Sequence, residues 1–279
     1  MPLVVCATPI GNLEDVTLRV LRELREADVI LCEDTRRTRV LLRRHGIDAR
    51  LVSYERFSEA RRTEEVLPLL EAGRRVALVS DAGLPGVNDP GGRLIEAVLR
   101  RGIAVTVLPG PSAVETALVA SGLVGERYVF VGYVPRTAAG RDALWRELAS
   151  WPWPAVAFES PRRLPATLSS LAAASPGRKL AVCRELSKRF EEVVRGPVEE
   201  VAARFAEPPR GEITLVLGPP TAPGAPAELQ QAASAVAELA GAGAPRRAAA
   251  RILAGLLGLP SNSLYRESLA AGRTRRRQD

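Results

Sequence analysis

The chain has 279 residues, 46% hydrophobic and 25% charged, a globular composition that excludes a disordered or fibrous protein and a length that points to about two domains. Its net charge of +7 is uneven: residues 1–120 balance 17 basic against 17 acidic groups, whereas 121–220 hold 14 against 11 and 221–279 hold 8 against 4. Such a basic excess points to a polyanionic partner, because neutralising phosphates drives nucleic-acid affinity. No uncharged apolar run approaches the roughly 20 residues of a membrane-spanning helix, and no basic residue precedes the apolar start of 1–13. Neither a membrane span nor a secretory signal is expected, and the expected location is cytoplasmic. Cys6, Cys32 and Cys183 are odd in number, widely spaced and set in apolar runs, which fits buried thiols and not a disulfide set or a zinc site. His45 is the only histidine, which leaves a Ser-His-Asp triad one candidate base, excludes a metal site needing several imidazoles, and gives no reason to expect a metal.

Short β-rich runs alternate with helical patterns through residue 120. Strands are predicted over 3–6, 29–32, 51–53, 76–79 and 104–107, with helices over 17–27, 35–45, 59–72 and 92–101 between them. Ser112 is placed to N-cap a last helix ending near 121. Strands spaced by helices imply a parallel α/β sheet covered on both faces, and the continuously apolar runs agree. Glycines around 121–125 mark a joint. Beyond it, strands over 128–131, 155–158, 180–183, 190–195 and 213–217 and helices over 138–149, 162–173 and 197–206 predict a second α/β domain with a mixed sheet. A Pro/Gly linker over 219–226 precedes short helices over 227–240, 245–256 and 261–270 and a basic, unstructured tail over 273–277. The expected organisation is therefore 1–120, 121–220 and 221–279.

Open α/β sheets bind ligands in the loops after their strands. Three such loops carry turn-forming words: 7–15 after the first strand, 80–91 after the fourth and 108–113 after the fifth. Neither a Gly-x-Gly-x-x-Gly fingerprint nor a Walker loop occurs, which disfavours a dinucleotide or nucleotide-hydrolase site.

The words Thr8-Pro9-Ile10-Gly11-Asn12-Leu13-Glu14-Asp15, Cys32-Glu33-Asp34-Thr35-Arg36, Ser80-Asp81-Ala82-Gly83, Asp89-Pro90-Gly91, Leu108-Pro109-Gly110-Pro111, Glu159-Ser160-Pro161 and Arg184-Glu185-Leu186-Ser187-Lys188 follow one another in a familiar order. Together they resemble the tetrapyrrole-methylase superfamily over residues 3–218. Within it they resemble the branch that 2′-O-methylates a decoding-centre cytidine of small-subunit ribosomal RNA. Residues 245–271 resemble the small helical domain that some members carry. The chain departs from the family's usual word at Leu84, Gly86, Val87 and Asn88.

The resemblance implies two α/β domains of the tetrapyrrole-methylase type with a cleft for S-adenosylmethionine between them, plus a small helical C-terminal extension. From the first domain Ile10, Gly11, Asp81, Ala82, Gly83, Leu84, Ser112 and Ala113 would line that cleft. Phe158, Leu186 and Gly211-Glu212-Ile213 would complete it. Asp81, at the end of a buried strand, could meet the cofactor's cationic or hydroxyl groups.

Methyl transfer from a sulfonium is an in-line displacement needing no metal, but a ribose hydroxyl benefits from a base or a charge-stabilising cation. All basic residues except Lys179 and Lys188 are arginines, and only lysine can shed its proton when desolvated. Lys188, near Glu185, is therefore the first catalytic candidate, with Glu33 and Asp34 next. Arg36, Arg37, Arg39, Arg43 and Arg44 form a basic helix beside them, and Arg36, Arg39 and Arg43 are expected to hold RNA phosphates. Arg162 and Arg163 offer a second grip. The expected partner is 16S rRNA in the 30S subunit, and the resemblance implies a homodimer. Two other readings stay open: a methylase of a small tetrapyrrole or corrin, and a non-catalytic nucleic-acid-binding protein using 245–270 as a helix-turn-helix.

Overall fold

The computed structural model describes residues 3–220 and 226–275. The chain packs as two units, Met1–Trp145 with Trp153–Gly218 and Arg146–Pro152 with Pro219–Asp279.

The first unit begins with strands β1 (Leu3–Cys6), β2 (Val29–Cys32), β3 (Leu51–Ser53), β4 (Val76–Val79) and β5 (Val105–Leu108). They form a parallel sheet ordered β3-β2-β4-β1-β5. The helices between them are α1 (Leu18–Glu26), α2 (Thr35–Arg44), α3 (Glu59–Glu71) and α4 (Gly92–Arg100). Successive strand residues point to opposite faces, and both faces are dry. Val4, Cys6, Ile30 and Val79 pack against Leu24 of α1 and Leu41 of α2, while Leu3, Val5, Leu31 and Leu78 pack against Leu67 of α3 and Val98 of α4. Parallel strands bury both faces in this way, which is why their sequences read as unbroken apolar runs. The helix starts are capped as their sequences allow. Thr17 Oγ1 accepts from Val20 N at 3.2 Å, and Asp34 Oδ1 accepts from Arg36 N at 2.8 Å.

The second sheet contains β6 (Val129–Tyr133), β7 (Ala155–Glu159), β8 (Lys179–Arg184), β9 (Glu192–Pro197) and β10 (Ile213–Leu217), ordered β6-β7-β10-β8-β9. It is mixed, with β6 and β7 parallel and the other pairings antiparallel. Helix α5 (Ala113–Ser121) precedes it, and α6 (Ala138–Ala149), α7 (Leu164–Ala174) and α8 (Val198–Arg204) accompany it. Chain order placed α5 with the first domain, but its apolar face, Val114, Ala117 and Leu118, is buried against Val156, Ala181 and Val216 of the second sheet. Helix α5 thus packs on the second sheet, and both sheets lie within the first unit. Cys6, Cys32 and Cys183 are buried free thiols, and burial pushes Cys6 and Cys183 up to about 12.

The second unit contains α9 (Pro226–Gly241), α10 (Arg246–Leu257) and α11 (Ser261–Arg275), whose shared core holds Ala233, Val236, Ala250 and Leu264. Gly258, with φ +66°, ends α10 in the left-handed conformation that glycine adopts without strain. The expected linker lies in part outside the described residues, at 221–225. Of the expected unstructured tail, 273–275 belong to α11 and 276–277 lie outside the described residues.

Leu31 is fully buried on the α3/α4 side of the first sheet. Leu31→Ala should lower unfolding free energy by about 2–5 kcal/mol, the range for truncating a buried leucine. Urea denaturation followed by circular dichroism measures this, and a loss below about 1 kcal/mol would place Leu31 outside the core.

Candidate active site

Because all strands of the first sheet run parallel, the loops following β1, β2, β4 and β5 emerge at one edge. Two of them are tied by their main chains. Thr8 N donates to Gly83 O at 2.8 Å, Gly83 N returns a bond to Thr8 O at 3.0 Å, and Thr8 Oγ1 donates to Ser80 O at 3.0 Å. Gly83 needs φ +79° to do this, a conformation costly for other residues. A cavity of about 800 Å³ opens beside these loops, lined from both sheets.

Ile10, Asp81, Ala82, Gly83, Leu84, Ser112 and Ala113 line this cavity from the first set of loops and α5, and Phe158, Leu186, Gly211 and Ile213 line it from the second sheet. Gly11 lies instead in a neighbouring cavity of about 320 Å³, shared with Lys188 and Glu212. Ser112 occupies the N-cap of α5, but its hydroxyl bonds the Glu115 carboxylate and caps no backbone N–H. Glu33 lines the main cavity, whereas Asp34 and Glu185 do not.

Carboxylates crowd this space. Glu33, Asp81, Asp89 and Glu212 all line it, and Arg37 is the one basic residue in its wall, 3.4 Å from Asp81 Oδ2. Burial raises Asp81, opposed by the bond its Oδ1 accepts from Asp34 N at 3.0 Å and by Arg37. Burial, then the charge of Asp81, raises Glu33. Burial and the charge of Glu33 push Asp89 up to about 6. Glu212 was expected here with Gly211 and Ile213, whereas Asp89 stands in one of the quoted words yet was not expected in the site. Its place in the Gly/Pro-rich loop after β4 is the signal that could have found it.

Of the two roles expected of Lys188, neutral base or charge-stabilising cation, its surroundings favour the charged form. Its Nζ donates to Glu185 Oε1 at 2.8 Å and to Glu212 Oε2 at 2.9 Å. Burial pulls the lysine down, but these bonds and the two negative charges outweigh it and hold the ammonium above its ordinary value. The bond to Lys188 likewise lowers Glu185. Lys188 is therefore a charged clasp. The loop it closes is tight: Glu185 and Ser187 adopt φ +52° and +61°, Ser187 Oγ accepts from Asn12 N at 3.1 Å, and a Cβ on Gly11 would fall 2.4 Å from Lys188 Cγ. Asp34 caps α2 and pairs with Arg36, whose hydrogen bonds hold it down to about 2.

Of the expected RNA contacts, Arg36, Arg39, Arg43 and Arg162 are exposed. Arg163 turns inward: its Nε donates to the buried Glu159 Oε1 at 2.7 Å and its Nη2 to Val134 O at 2.8 Å. A guanidinium fixed on a buried carboxylate is a packing element, and Arg163 is removed from the RNA grip.

A carboxyl whose folded pKa lies above its unfolded value costs stability once ionised. For Asp89 that cost is complete above about 6 and vanishes as pH falls below its ordinary 3.8. Asp89→Asn should therefore be more stable than the parent at pH 8, by about 1 kcal/mol after allowing for partial solvent access. Denaturation midpoints at pH 8 and pH 4 test this, and a gain that persists undiminished at pH 4 contradicts the burial of that charge.

The family model described as Tetrapyrrole (Corrin/Porphyrin) Methylases matches residues 2–202. The Ribosomal RNA small subunit methyltransferase I of Thermotoga maritima is 44% identical over 216 residues, covering 77% of this chain and 97% of that protein. The protein of that name from Mesorhizobium japonicum is 40% identical over 271 residues, covering 96% and 91%. Among solved structures, uroporphyrin-III C-methyl transferase from Thermus thermophilus, complexed with S-adenyl homocysteine, superposes with TM-score 0.57 at 21% identity, covering 78% of this chain and 97% of that one. Cobalt precorrin-4 methyltransferase superposes with TM-score 0.59 at 17% identity, covering 77% and 94%. The two structures speak for the fold. With the family model spanning most of the chain and relatives of 40% identity and more along it, the chain belongs to the tetrapyrrole (corrin/porphyrin) methylase family.

Proposed function

We propose that this chain transfers a methyl group from S-adenosylmethionine to the 2′-oxygen of a decoding-centre cytidine in 16S rRNA of the 30S subunit. The observation that carries the reading is the likeness to relatives named Ribosomal RNA small subunit methyltransferase I along almost the whole chain. The placement of α2 supports it: Arg37 stands in the cavity wall, and Arg36, Arg39 and Arg43 lie exposed on the same helix. The same reading pairs two copies as a homodimer in the cytoplasm.

The residues present fit the cofactor. It carries a net positive charge, and a wall with Glu33, Asp81, Asp89 and Glu212 against Arg37 alone favours a cation. Ile10, Phe158, Leu186 and Ile213 offer the apolar surface a purine ring needs. When bound, S-adenosylmethionine supplies an electrophilic methyl group on sulfur. The 2′-oxygen forms the new bond to carbon as the carbon–sulfur bond breaks, and its proton passes to a protein base. Among the candidates Glu33 suits that task. It lines the cavity and is raised toward neutrality, whereas Lys188 is a paired ammonium and Asp34 a paired cap.

Incubation with 30S subunits and S-adenosylmethionine should leave one cytidine linkage resistant to alkali; methyl found on a base nitrogen would refute the reading. Glu33→Gln should lower the single-turnover rate by about 100-fold or more with cofactor affinity retained. A rate within about threefold of the parent, well below that range, would remove Glu33 as the base.

Replacing Arg36, Arg39 and Arg43 together should weaken 30S binding and flatten its salt slope by about 0.7–0.9 per lost phosphate contact. Asp81→Ala should instead weaken calorimetric binding of S-adenosylmethionine and leave the salt slope alone. An unchanged salt slope in the arginine variant would show that α2 faces away from RNA.

A further inference from the structure

The cavity has an exposed aromatic ring at its mouth that neither the cofactor reading nor the core explains. Strand β6 runs in register with β7 as far as Phe130, opposite Val156, and resumes at Tyr133, opposite Phe158. Three steps along β6 thus match two along β7, and the extra residue forms a bulge. Bulges re-aim side chains. Gly132 makes this one possible with φ +70°, and the bulge passes so close to the loop after β4 that a Cβ on Gly132 would lie 3.1 Å from Asn88 Oδ1. The outcome is that Tyr133, at the end of β6, lines the cavity while 59% exposed.

Its neighbours are arranged as a support. Phe158 lies behind it with ring centroids 5.5 Å apart at 62°, and Phe130 backs Phe158 at 5.0 Å and 65°. Phe130 and Phe158 pack into the core of the second sheet, so they hold Tyr133 in place. Edge-to-face contact leaves a face of the tyrosine ring open. A second cavity aromatic, Tyr128, differs: its hydroxyl is fixed by Glu115 Oε1 at 2.6 Å.

The charges decide what can meet that open face. Asp89, Glu212 and Glu33 line the cavity with Tyr133 and act on its hydroxyl, opposed by Arg163. Such a wall repels phosphate, so an RNA strand cannot thread its backbone through the cavity. It can present one nucleotide turned out of the strand, base and ribose inward, with the flanking phosphates outside against the exposed arginines of α2. Flipped and single-stranded bases are held on aromatic rings. Carboxylates also suit cytosine, whose exocyclic amino group donates to them.

We infer that Tyr133, set by the β6 bulge and backed by Phe158, is the platform on which the target pyrimidine base of the RNA stacks, so that its ribose reaches the methyl donor. This rests on the functional reading above. It assigns the ring to substrate and not to cofactor.

The test uses the full chain with 30S subunits. Tyr133→Leu should raise the KM for 30S roughly 5- to 100-fold, the range of base–aromatic stacking. Calorimetric affinity for S-adenosylmethionine should stay at the parent value. Tyr133→Phe keeps the ring and should bring the KM back to within about threefold of the parent. A Tyr133→Leu KM within about twofold, below the stacking range, overturns the proposal. So does a loss of S-adenosylmethionine affinity, which would give the ring to the cofactor, and so does a phenylalanine variant as impaired as the leucine one, which would make the hydroxyl the active part. Parent enzyme that leaves 30S ribose unmethylated would sink the functional reading first, and this inference with it.

Discussion

The mutual backbone bonds between Thr8 and Gly83 are the constraint on which the site depends. Parallel strands deliver their loops to one edge but do not order them. Here the loop after β1 and the loop after β4 pair as a one-residue antiparallel bridge, with the Thr8 hydroxyl seated on Ser80 O. That bridge sets Ile10 on one side and Asp81 and Ala82 on the other, so main-chain bonds position the first half of the cavity. Gly110 extends the same economy of space, since a Cβ there would lie 2.8 Å from Ala7 Cβ.

The second half is brought up by α5 and by the segment 185–188. Helix α5 leaves the first sheet and buries Ala117 against the second. The segment 185–188 holds two non-glycine residues in the left-handed region, a conformation that persists only where surrounding contacts over-determine it. Those contacts are Lys188 between two carboxylates, Ser187 on Asn12 N and Leu186 in the core. Charge is thus used in two ways within a few residues. At Lys188 it is paired with two carboxylates, and in the cavity wall Glu33, Asp81 and Asp89 raise one another's affinity for protons.

Much of the frame was legible in the sequence, and the reasons are physical. The strands Leu3–Cys6, Val29–Cys32 and Val76–Val79 are buried on both faces, so apolar continuity marked them without ambiguity. The cavity loops were legible because parallel topology forces them to a shared edge. What escaped depends on contacts between distant segments. Lys188 invited a base assignment because its second carboxylate, Glu212, lies 24 positions away in the chain. Arg163 looked like a surface charge because nothing local announces that Glu159 is fully buried. Which sheet receives α5 is not written in its own residues, because its apolar face reads alike in either case. Nor does an alternating pattern announce a bulge, so the strand expected over 128–131 stops short of Tyr133, the last residue of β6.

Arginine so dominates this chain that the only lysine side chains are those of Lys179 and Lys188. Lys179 is exposed, whereas Lys188 is shared between Glu185 and Glu212 where the loop after β8 meets the loop after β1. Acylation, which neutralises an amine and ignores a guanidinium, would pass over nearly every cation on the surface. Where it reached Lys188 it would strip the one positive charge from a clasp made with two negative ones. The junction of the two sheets is therefore sensitive to a covalent chemistry to which the remaining basic surface is almost indifferent.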